Sequence, residues 1–391
     1  MRRERGTPRP DWQSIVAEQG LVFGTPGRDG SGGARPYWDE SVHYAFEMDE
    51  ILSLEADVEV LHSMCLAAVD HVVTTERFRD FALPEWSWQA ITDSWKRSDP
   101  HIYGRFDLRY DGSGPATLLE YNADTPTSLL EASILQWYWL QDVHPGDDQW
   151  NSLHEKLVER WGEVRAGLPS AEMHFTWSGA ESSGEDHVTV GYLQETAAEA
   201  GLDTVGLSIE DIGWDAALDR FVDLEEAPMS GVFKLYPWEW ILGDSFGKHV
   251  TRSLPQTLWM EPLWKTLLSN KALLAVLWEM YPGHPNLLPA SLGDPGILTE
   301  YVRKPLLGRE GSNIQVVAPG TGAHETVTGG VYGQEGFVYQ MFAPLPEFDG
   351  YRPCIGAWLV GDTAAGMSIR ETAGLITDDG AAFVPHRIPT T

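Results

Sequence analysis

Apolar side chains recur at spacings of three and four residues in one long segment of the N-terminal half. This spacing predicts a single amphipathic helix over Asp39–Val73 with one buried stripe. The stripe consists of Ile51, Leu54, Val58, Leu61, Cys65, Val69 and Val72. Because Cys65 lies on the stripe, we expect it to be a packed thiol and not a nucleophile.

Shorter patterns predict helices and strands in the middle of the chain. Ser128–Asp142 is typical of a largely buried helix, in which Trp137, Tyr138 and Trp139 are expected to be core residues. Asn151–Ala166 has an amphipathic helical pattern. A strand, a helix and a second strand then follow in order, which indicates a small α/β layer. These three elements are Met173–Trp177, Thr189–Ala200 and Leu202–Ile209.

The two ends of the chain differ in pattern from its middle. Residues 1–36 are rich in Arg, Gly and Pro and are expected to be mostly loop. Leu254–Tyr281 predicts a helix that stops at Pro282-Gly283. The last hundred residues are predicted to be mainly β, with four short strands. These strands are Tyr301–Pro305, Gly336–Ala343, Cys354–Gly361 and Ala365–Arg370.

A β-hairpin is predicted over Tyr103–Thr127. Polar and apolar residues alternate in both halves of the segment, and Asp111–Pro115 between them has the composition of a turn. Side chains two residues apart on a strand project side by side. If the register permits, four polar side chains therefore converge on one face of the hairpin. They are Arg105, Asp107, Glu120 and Asn122.

This polar face has two interpretations. Carboxylate and amide oxygens are ligands that suit Mg²⁺, and an arginine beside them suits a phosphoryl group. The alternative is a solvated hairpin surface held by a salt bridge. The residues of the hairpin by themselves slightly favour the solvated surface.

Composition and charge exclude several classes of protein. The chain has 391 residues and a net charge of −31, which argues against nucleic-acid binding because phosphate recognition needs a basic surface. The charge is compatible with cationic small substrates such as polyamines, or simply with solubility. The two cysteines lack the spacing of a zinc site or a disulfide framework. Without a secretory signal or an apolar run of about 20 residues, a cytoplasmic enzyme that does not bind membranes is expected.

Three further segments carry residues that suit nucleotide binding. Lys271 lies in SNKALL at a helix start, Lys304 precedes the glycine-bearing loop LGREGSN, and Gln340 lies on an apolar strand. Lysines act as point charges on phosphates, and glycines let backbone N–H groups approach them. Each signal is weak alone, because a single lysine is usually a surface charge and Gln340 could cap a strand. The loop also lacks the P-loop pattern.

Several motifs taken together resemble the synthetase domain of the glutathionylspermidine synthase family, including its stand-alone acid–amine ligase-like members. They are RFD, LLEYNADTPT, KLYPWEW, SNKALL, RKPLLGREGSNI, VYQMFAPLP, GAWLVGDTAAGMSIRE and FVPHRI, and they run in order from about residue 20 to the end. The resemblance implies an α+β fold of the ATP-grasp type. Such a fold would have antiparallel sheets with flanking helices and the permuted order in which the metal-binding hairpin precedes the lysines.

The resemblance also implies a domain organisation. Residues 1–36 would form an N-terminal extension, and 37–391 would form the ligase domain. Its lobes would cover approximately 37–170, 171–300 and 301–391. The amidase domain of the bifunctional members is expected to be absent, because no segment is long enough for it and no Cys/His pair is placed for it.

Carried over residue by residue, the resemblance implies a role for each motif position. Arg105 would contact the transferred phosphate and Arg370 would face the active site. Mg²⁺ would be held by Asp107, Glu120 and Asn122. The nucleotide would be bound by Lys271, Lys304, a lid from Gly308 through Gly311 to Ser312, and Gln340 at the adenine hinge. Weaker matches place Glu185 and Asp186 near the amine and Thr125 and Thr127 near the acid.

The expected reaction is ATP-dependent formation of an amide between a carboxylic acid and an amine through an acyl phosphate. Its partners would be small molecules, with ATP and Mg²⁺ as cofactors. The alternative is a non-catalytic ATP-grasp protein that binds a nucleotide or peptide and signals by lobe closure. A carbohydrate-active protein would fit the 17 tryptophans, but it explains neither the lysines nor the glycine loop. The sequence does not identify the acid or the oligomeric state.

Overall fold

A computed structural model describes most of the chain. The described ranges are residues 1–24, 26–28, 33–181, 183–254, 256–309, 311–318, 323–378 and 380–390. Parts of the N-terminal segment that was predicted to be loop, and of the predicted lid from Gly308 to Ser312, lie outside these ranges. No helix within them is both long enough and apolar enough to cross a bilayer.

The α-helices of the described part are distributed along most of the chain. They are α1 Trp12–Glu18, α2 Met48–Thr75, α3 Trp88–Lys96, α4 Gln136–Val143, α5 Leu153–Gly167, α6 Glu185–Glu199, α7 Trp238–Gly243, α8 Gly247–Ser253, α9 Thr266–Ser269 and α10 Ala272–Met280. A π-helical segment, Glu131–Leu135, leads directly into α4.

The strands are concentrated in the C-terminal third. They are β1 Arg2–Arg5, β2 Gly27–Arg28, β3 Ala34–Arg35, β4 Val42–Ala45, β5 Tyr103–Arg109, β6 Thr117–Asn122, β7 Glu172–Trp177, β8 Asp203–Ser208, β9 Gly213–Asp215, β10 Arg220–Val222, β11 Gly231–Leu235, β12 Leu258–Met260, β13 Ala290–Leu292, β14 Tyr301–Pro305, β15 Gln315–Ala318, β16 Ala323–Val327, β17 Phe337–Met341, β18 Arg352–Val360, β19 Thr363–Thr372, β20 Ala382–Val384 and β21 His386–Arg387.

Three larger sheets organise these strands. The first, here the hairpin sheet, is antiparallel with the order β20-β19-β18-β5-β6. The second, here the β14 sheet, is antiparallel with the order β13-β17-β14-β15-β16. The third has the order β12-β11-β7-β8 and is parallel throughout. The prediction of antiparallel sheets is therefore correct for two sheets and wrong for this one, where α6 connects β7 to β8 as a crossover requires.

The long amphipathic helix is confirmed, but its predicted start is wrong. All seven residues of the stripe are buried, Cys65 included, and Glu47 and Glu50 form a capping box at the start of α2. The preceding residues are not helical, because β4 pairs with β1 and β21. Val42 and Tyr44 are buried there, together with their neighbours. A short strand without exposed positions has no period that separates it from a helix.

Several other predictions need correction. The helix predicted over Leu254–Tyr281 is divided into β12, a 3₁₀ turn, α9 and α10, and Lys271 lies at the start of α10. Trp139 is buried, but Trp137 and Tyr138 are 40% and 49% exposed and do not belong to the core. The N-terminal segment contains β1 and α1, which the sequence analysis did not predict.

The hairpin Tyr103–Thr127 is confirmed as β5 and β6. Its apolar face buries Phe106 against Tyr121, with ring centroids 4.0 Å apart. A bulge between Asp107 and Leu108 shifts the register, so that Leu118 lies opposite Leu108. Leu118 therefore fills the apolar face, whereas Leu119, which a regular alternation with Tyr121 would place there, is only partly buried.

A buried ion pair attaches the end of the hairpin to the parallel sheet. Asp124 follows β6, and its Oδ1 lies 2.5 Å from the Nζ of Lys234 on β11. The other carboxylate oxygen accepts a hydrogen bond from the backbone N–H of Trp238 at 2.8 Å. Both side chains of the pair are almost completely buried, so neither has water as an alternative partner.

Removing one partner of this pair should destabilise the protein strongly. We expect Lys234→Met to lower the free energy of unfolding by about 3–5 kcal/mol, because it leaves the Asp124 carboxylate buried and uncompensated. Arg77→Met breaks partly exposed ion pairs with Asp80 and Glu279 and should cost less than about 1 kcal/mol. Urea unfolding of both variants measures the difference. Equal, small losses would show that Asp124 does not depend on Lys234.

Candidate active site

The register of β5 and β6 brings the four polar side chains of the hairpin onto one face. Arg105 lies opposite Asn122, and Asp107 lies opposite Glu120. Directly opposite side chains in an antiparallel pair are about 5 Å apart at Cβ, within reach of a common ligand. The convergence that the sequence analysis made conditional on register is therefore present in the structure.

Two arginines surround Asp107. Arg105 Nε lies 3.0 Å from Asp107 Oδ1, and Arg370 on β19 lies 2.5 Å from Asp107 Oδ2. Burial opposes ionisation of this carboxyl, but the two guanidinium groups hold its pKa below the usual range. Asp107 is therefore a carboxylate at neutral pH.

A glycine makes room for this arrangement. Gly356 on β18 pairs with Asp107 in the ladder, between β5 and β19. A Cβ at this position would lie 3.0 Å from Arg105 Cδ and 2.7 Å from Ser368 Oγ. Any larger residue would displace the arginine, so the close approach requires glycine here.

The two predicted lysines lie along the edge strand β6. Lys271 Nζ is 2.6 Å from Glu120 Oε1 and donates to the Gly308 carbonyl at 2.5 Å. Lys304 Nζ donates to the Leu119 carbonyl and to Gln340 Oε1, each at 2.8 Å. Burial lowers the pKa of Lys304 to about 8, with Lys271 acting in the same direction and Glu120 opposing it.

The side chain of Gln340 serves the hairpin and its neighbouring lysine. Its Nε2 donates to the Leu118 carbonyl at 3.0 Å while its Oε1 accepts from Lys304. The residue is 2% exposed. If the side chain of Gln340 contacted an adenine, these hydrogen bonds would have to be exchanged. A contact through the backbone of β17 would leave them in place.

A cavity of about 450 Å³ opens over the polar face. Ten of the predicted residues line it. They are Arg105, Asp107, Glu120, Asn122, Thr125, Thr127, Glu185, Asp186, Gly311 and Arg370. The remaining predicted residues do not line this cavity. They are Lys271, Lys304, Gly308, Ser312 and Gln340. All of these except Ser312 are connected to the cavity indirectly, through contacts with Glu120 or with the backbone of β6.

The acidic residues at the other end of the cavity belong to a helix and not to a loop. Glu185 and Asp186 form the first turn of α6, which starts four residues before the predicted Thr189. Its N-cap is Gly184 at φ 88°, a conformation that favours glycine. Carboxylates in the first turn are favoured by the helix dipole. Glu181 accepts a hydrogen bond from the Gly184 N–H at 2.9 Å, which stabilises this turn.

The sequence analysis missed three residues at the cavity. Arg309 donates to Thr125 Oγ1 at 3.0 Å and pairs with Glu239 at 2.6 Å. Tyr37 lines the cavity and donates from its hydroxyl to Glu131 at 2.5 Å. Arg309 was inside the predicted glycine loop, and Glu131 was an acidic residue inside a predicted buried helix, so both had a signal. Tyr37 had none.

Glu131 is a buried carboxyl beside the acidic end of the cavity. It is 1% exposed, and its Oε2 has no hydrogen-bond partner among the described residues. Burial, reinforced by the charge of Glu185, raises its pKa to about 7. The cavity therefore has a cationic and carboxylate-rich end at the hairpin and an anionic end near α6.

Comparison with known proteins shows the family of the chain. The family model described as glutathionylspermidine synthase preATP-grasp matches residues 3–389. A protein of Haemophilus influenzae named "Putative acid--amine ligase" is 40% identical over 99% of both chains. The trypanothione synthetase of Crithidia fasciculata is 29% identical over 84% of this chain, which spans about half (54%) of that protein's length.

A solved structure supports the fold alone. The glutathione synthetase-like effector of Globodera pallida, in its apo form, covers 97% of this chain with a TM-score of 0.55 and 10% identity. The arrangement of helices and sheets is thus similar to that of a glutathione synthetase-like protein. With the family model matched over almost the whole chain, this protein belongs to the glutathionylspermidine synthase family.

Proposed function

We propose that this protein is an ATP-dependent ligase that joins a carboxylic acid to an amine through an acyl phosphate, releasing ADP and phosphate. The observation that carries the proposal is the single cluster formed by the hairpin and the lysines. Lys271 contacts Glu120, which lies opposite Asp107, which in turn contacts Arg105 and Arg370. Family membership and the 40% identical relative support the same reaction class.

The donor set on the hairpin fits a magnesium ion. Asp107 and Glu120 offer carboxylate oxygens and Asn122 an amide oxygen from adjacent cross-strand positions, and Mg²⁺ prefers oxygen ligands. In the proposed role these three residues would hold Mg²⁺. When bound, the ion would neutralise charge on the phosphates of the nucleotide.

Positive side chains provide the rest of the charge stabilisation. Phosphoryl transfer requires mainly that the reactants be positioned and that negative charge be neutralised. Arg105 and Arg370 line the cavity at the hairpin, as do Thr125 and Thr127, which we propose bind the carboxylic acid substrate. Lys304 lies on β14, and Lys271 contacts the glycine loop through the Gly308 carbonyl. We propose that the two arginines contact the transferred phosphoryl group and that the two lysines bind the nucleotide phosphates.

The proposed chemistry balances in two steps. The carboxylate of the acid attacks the γ-phosphorus of ATP, which breaks the bond to the ADP oxygen and forms the acyl phosphate. The neutral amine then attacks the acyl carbon, phosphate leaves, and the amine nitrogen loses a proton. A free carboxylate would have to expel oxide, whereas phosphate is a good leaving group, which explains the need for ATP.

The acidic end of the cavity is suited to an amine substrate. Glu185 and Asp186 line it, and Glu131 lies behind Tyr37. Carboxylates attract ammonium groups through charge-assisted hydrogen bonds. We propose that this end binds the cationic amine. These charges favour a polyamine or another amine as the substrate at this end. The family name describes such an amine joined to a peptide-like acid.

We expect Arg105→Ala and Asn122→Ala each to lower the rate of ligation by about 10²–10³, the usual effect of removing one charge-stabilising group. Arg109→Ala is the matched control, because Arg109 lies on the same strand and donates to the Pro344 carbonyl outside the cavity. Phosphate release from ATP in a screen of acids against polyamines and amino acids measures the rate.

Circular dichroism would establish that these variants remain folded. Full activity of Arg105→Ala or Asn122→Ala would refute the site. ATP binding by the wild-type protein without phosphate release for any acid and amine pair would instead favour the non-catalytic nucleotide-binding alternative.

Glu185→Gln should raise the KM for the amine by about tenfold or more, since a hydrogen bond to a charged group contributes roughly 1.5–3 kcal/mol. The KM for ATP should not change. Glu195→Gln, on the exposed side of the same helix, is the control. An amine KM that is the same in both variants would exclude Glu185 from the amine site.

Glu131 should make stability depend on pH. Its pKa is raised from 4.5 to about 7 in the folded protein, so its contribution is fully present below pH 4.5 and is lost as the pH rises through 7. The difference in unfolding free energy between Glu131→Gln and wild type should therefore change in favour of the variant by about 3 kcal/mol as the pH rises from 4.5 to 7. Denaturant unfolding at several pH values measures this gain. A constant difference between the two proteins would show that Glu131 ionises normally.

A further inference from the structure

Two histidines and an aspartate meet on the side of the hairpin sheet opposite the cavity. His62 lies on α2, His101 precedes β5, and Asp362 occupies the turn between β18 and β19. The Nε2 atoms of His62 and His101 lie 2.9 and 3.1 Å from the same oxygen, Asp362 Oδ1. Both histidines are buried, while the aspartate is exposed. The proposed ligase chemistry uses none of the three.

The spacing of the three groups fits a metal ion. One ligand atom from each residue lies within 4.8 Å of the other two. Zn²⁺ binds nitrogen and oxygen at about 2.0–2.2 Å, so its tetrahedral ligands are separated by roughly 3.3–3.5 Å. The observed nitrogen–oxygen distances would have to increase by only a few tenths of an ångström to admit the ion.

Neighbouring groups hold both imidazole rings in place. The Tyr121 hydroxyl lies 3.3 Å from His62 Nδ1, which is the kind of partner that a metal-ligating histidine has on its second nitrogen. The indole of Trp264 packs edge-on against His101, with ring centroids 5.4 Å apart. Arg160 donates to the His101 carbonyl at 2.7 Å. The rings are thus oriented before any ion binds.

A second cavity gives access to this point. It has a volume of about 710 Å³ and is lined by His101 and Asp362 together with Asp70, Asp99 and Arg160. The charge of Arg160 is paired with Glu163 and that of Asp99 with Arg97, each at 2.6 Å, while Asp70 and Lys96 also line the cavity. A water molecule from this cavity could complete four-coordination, as in sites with three protein ligands.

We propose that His62, His101 and Asp362 form a binding site for a transition-metal ion of the Zn²⁺ type, separate from the oxygen ligands on the hairpin. Two imidazoles and one carboxylate suit zinc, whereas magnesium prefers oxygen alone. The proposal does not depend on the ligase function. Tyr121, which contacts His62, lies between Glu120 and Asn122 on β6. The ion would therefore stabilise, from its apolar face, the strand that carries two of the proposed magnesium ligands.

Titration of the metal-stripped full chain with Zn²⁺ tests the site. Millimolar Mg²⁺ is present throughout to occupy the hairpin oxygens. We expect one equivalent of Zn²⁺ to bind and to raise the melting temperature. Asp362→Asn should lower the affinity by at least about tenfold, since even indirect partners of a metal contribute 10–100-fold. His71→Ala, on the same helix but outside the cluster, is the control and should bind as wild type.

Asp362 is exposed, so its variant should fold, and His101→Gln provides a second ligand variant in which a polar side chain remains. The absence of Zn²⁺ binding to the wild type at micromolar concentrations would overturn the proposal. Equal Zn²⁺ affinity of wild type and Asp362→Asn would also overturn it, and would show that the three residues form only a hydrogen-bonded cluster. Binding that is lost in Asn122→Ala but retained in Asp362→Asn would place the ion at the hairpin and also contradict the proposal.

Discussion

The register between β5 and β6 is the constraint on which the candidate site depends. It sets Arg105 opposite Asn122 and Asp107 opposite Glu120. A slip of one residue would turn these side chains to the opposite face, against the packing of Phe106 and Tyr121. Because β5 is paired on both sides, with β6 and with β18, its position is fixed by two ladders. The site is therefore built on an interior strand of the hairpin sheet and on the edge strand that pairs with it.

Charge compensation explains how so many ionic side chains can be partly withdrawn from water. Asp107 has two arginines and Glu120 has a lysine as partners, and an unpaired buried charge would cost several kcal/mol. In the proposed reaction, ligand binding is consequently an exchange of partners. Phosphate oxygens would replace carboxylates at the cationic groups, and a metal ion would replace them at the carboxylates. Preorganisation of this kind reduces the reorganisation needed during catalysis.

Local patterns predicted the parts of the fold that local patterns determine. The α2 stripe and the hairpin were readable because their periods are long and regular, while β4 was not, since each of its residues is buried. The bulge that exchanges Leu119 for Leu118 depends on contacts with distant strands. The pairing of Lys271 with Glu120 joins residues far apart in sequence, and only the family resemblance, not periodicity, indicated that they belong together. Arg309 and Glu131 show that a charged residue within an otherwise predictable segment is itself a signal.

The bonds from Lys304 and Gln340 to the carbonyls of Leu119 and Leu118 have a consequence for solubility as well as chemistry. Strand β6 is the edge of its sheet, and an uncovered edge is a template for pairing with a second chain. These two side chains occupy acceptors that such pairing would use. A substitution of Lys304 would thus remove a cation and at the same time leave the Leu119 carbonyl without this donor, so that the edge strand would lose one of the contacts that cover it.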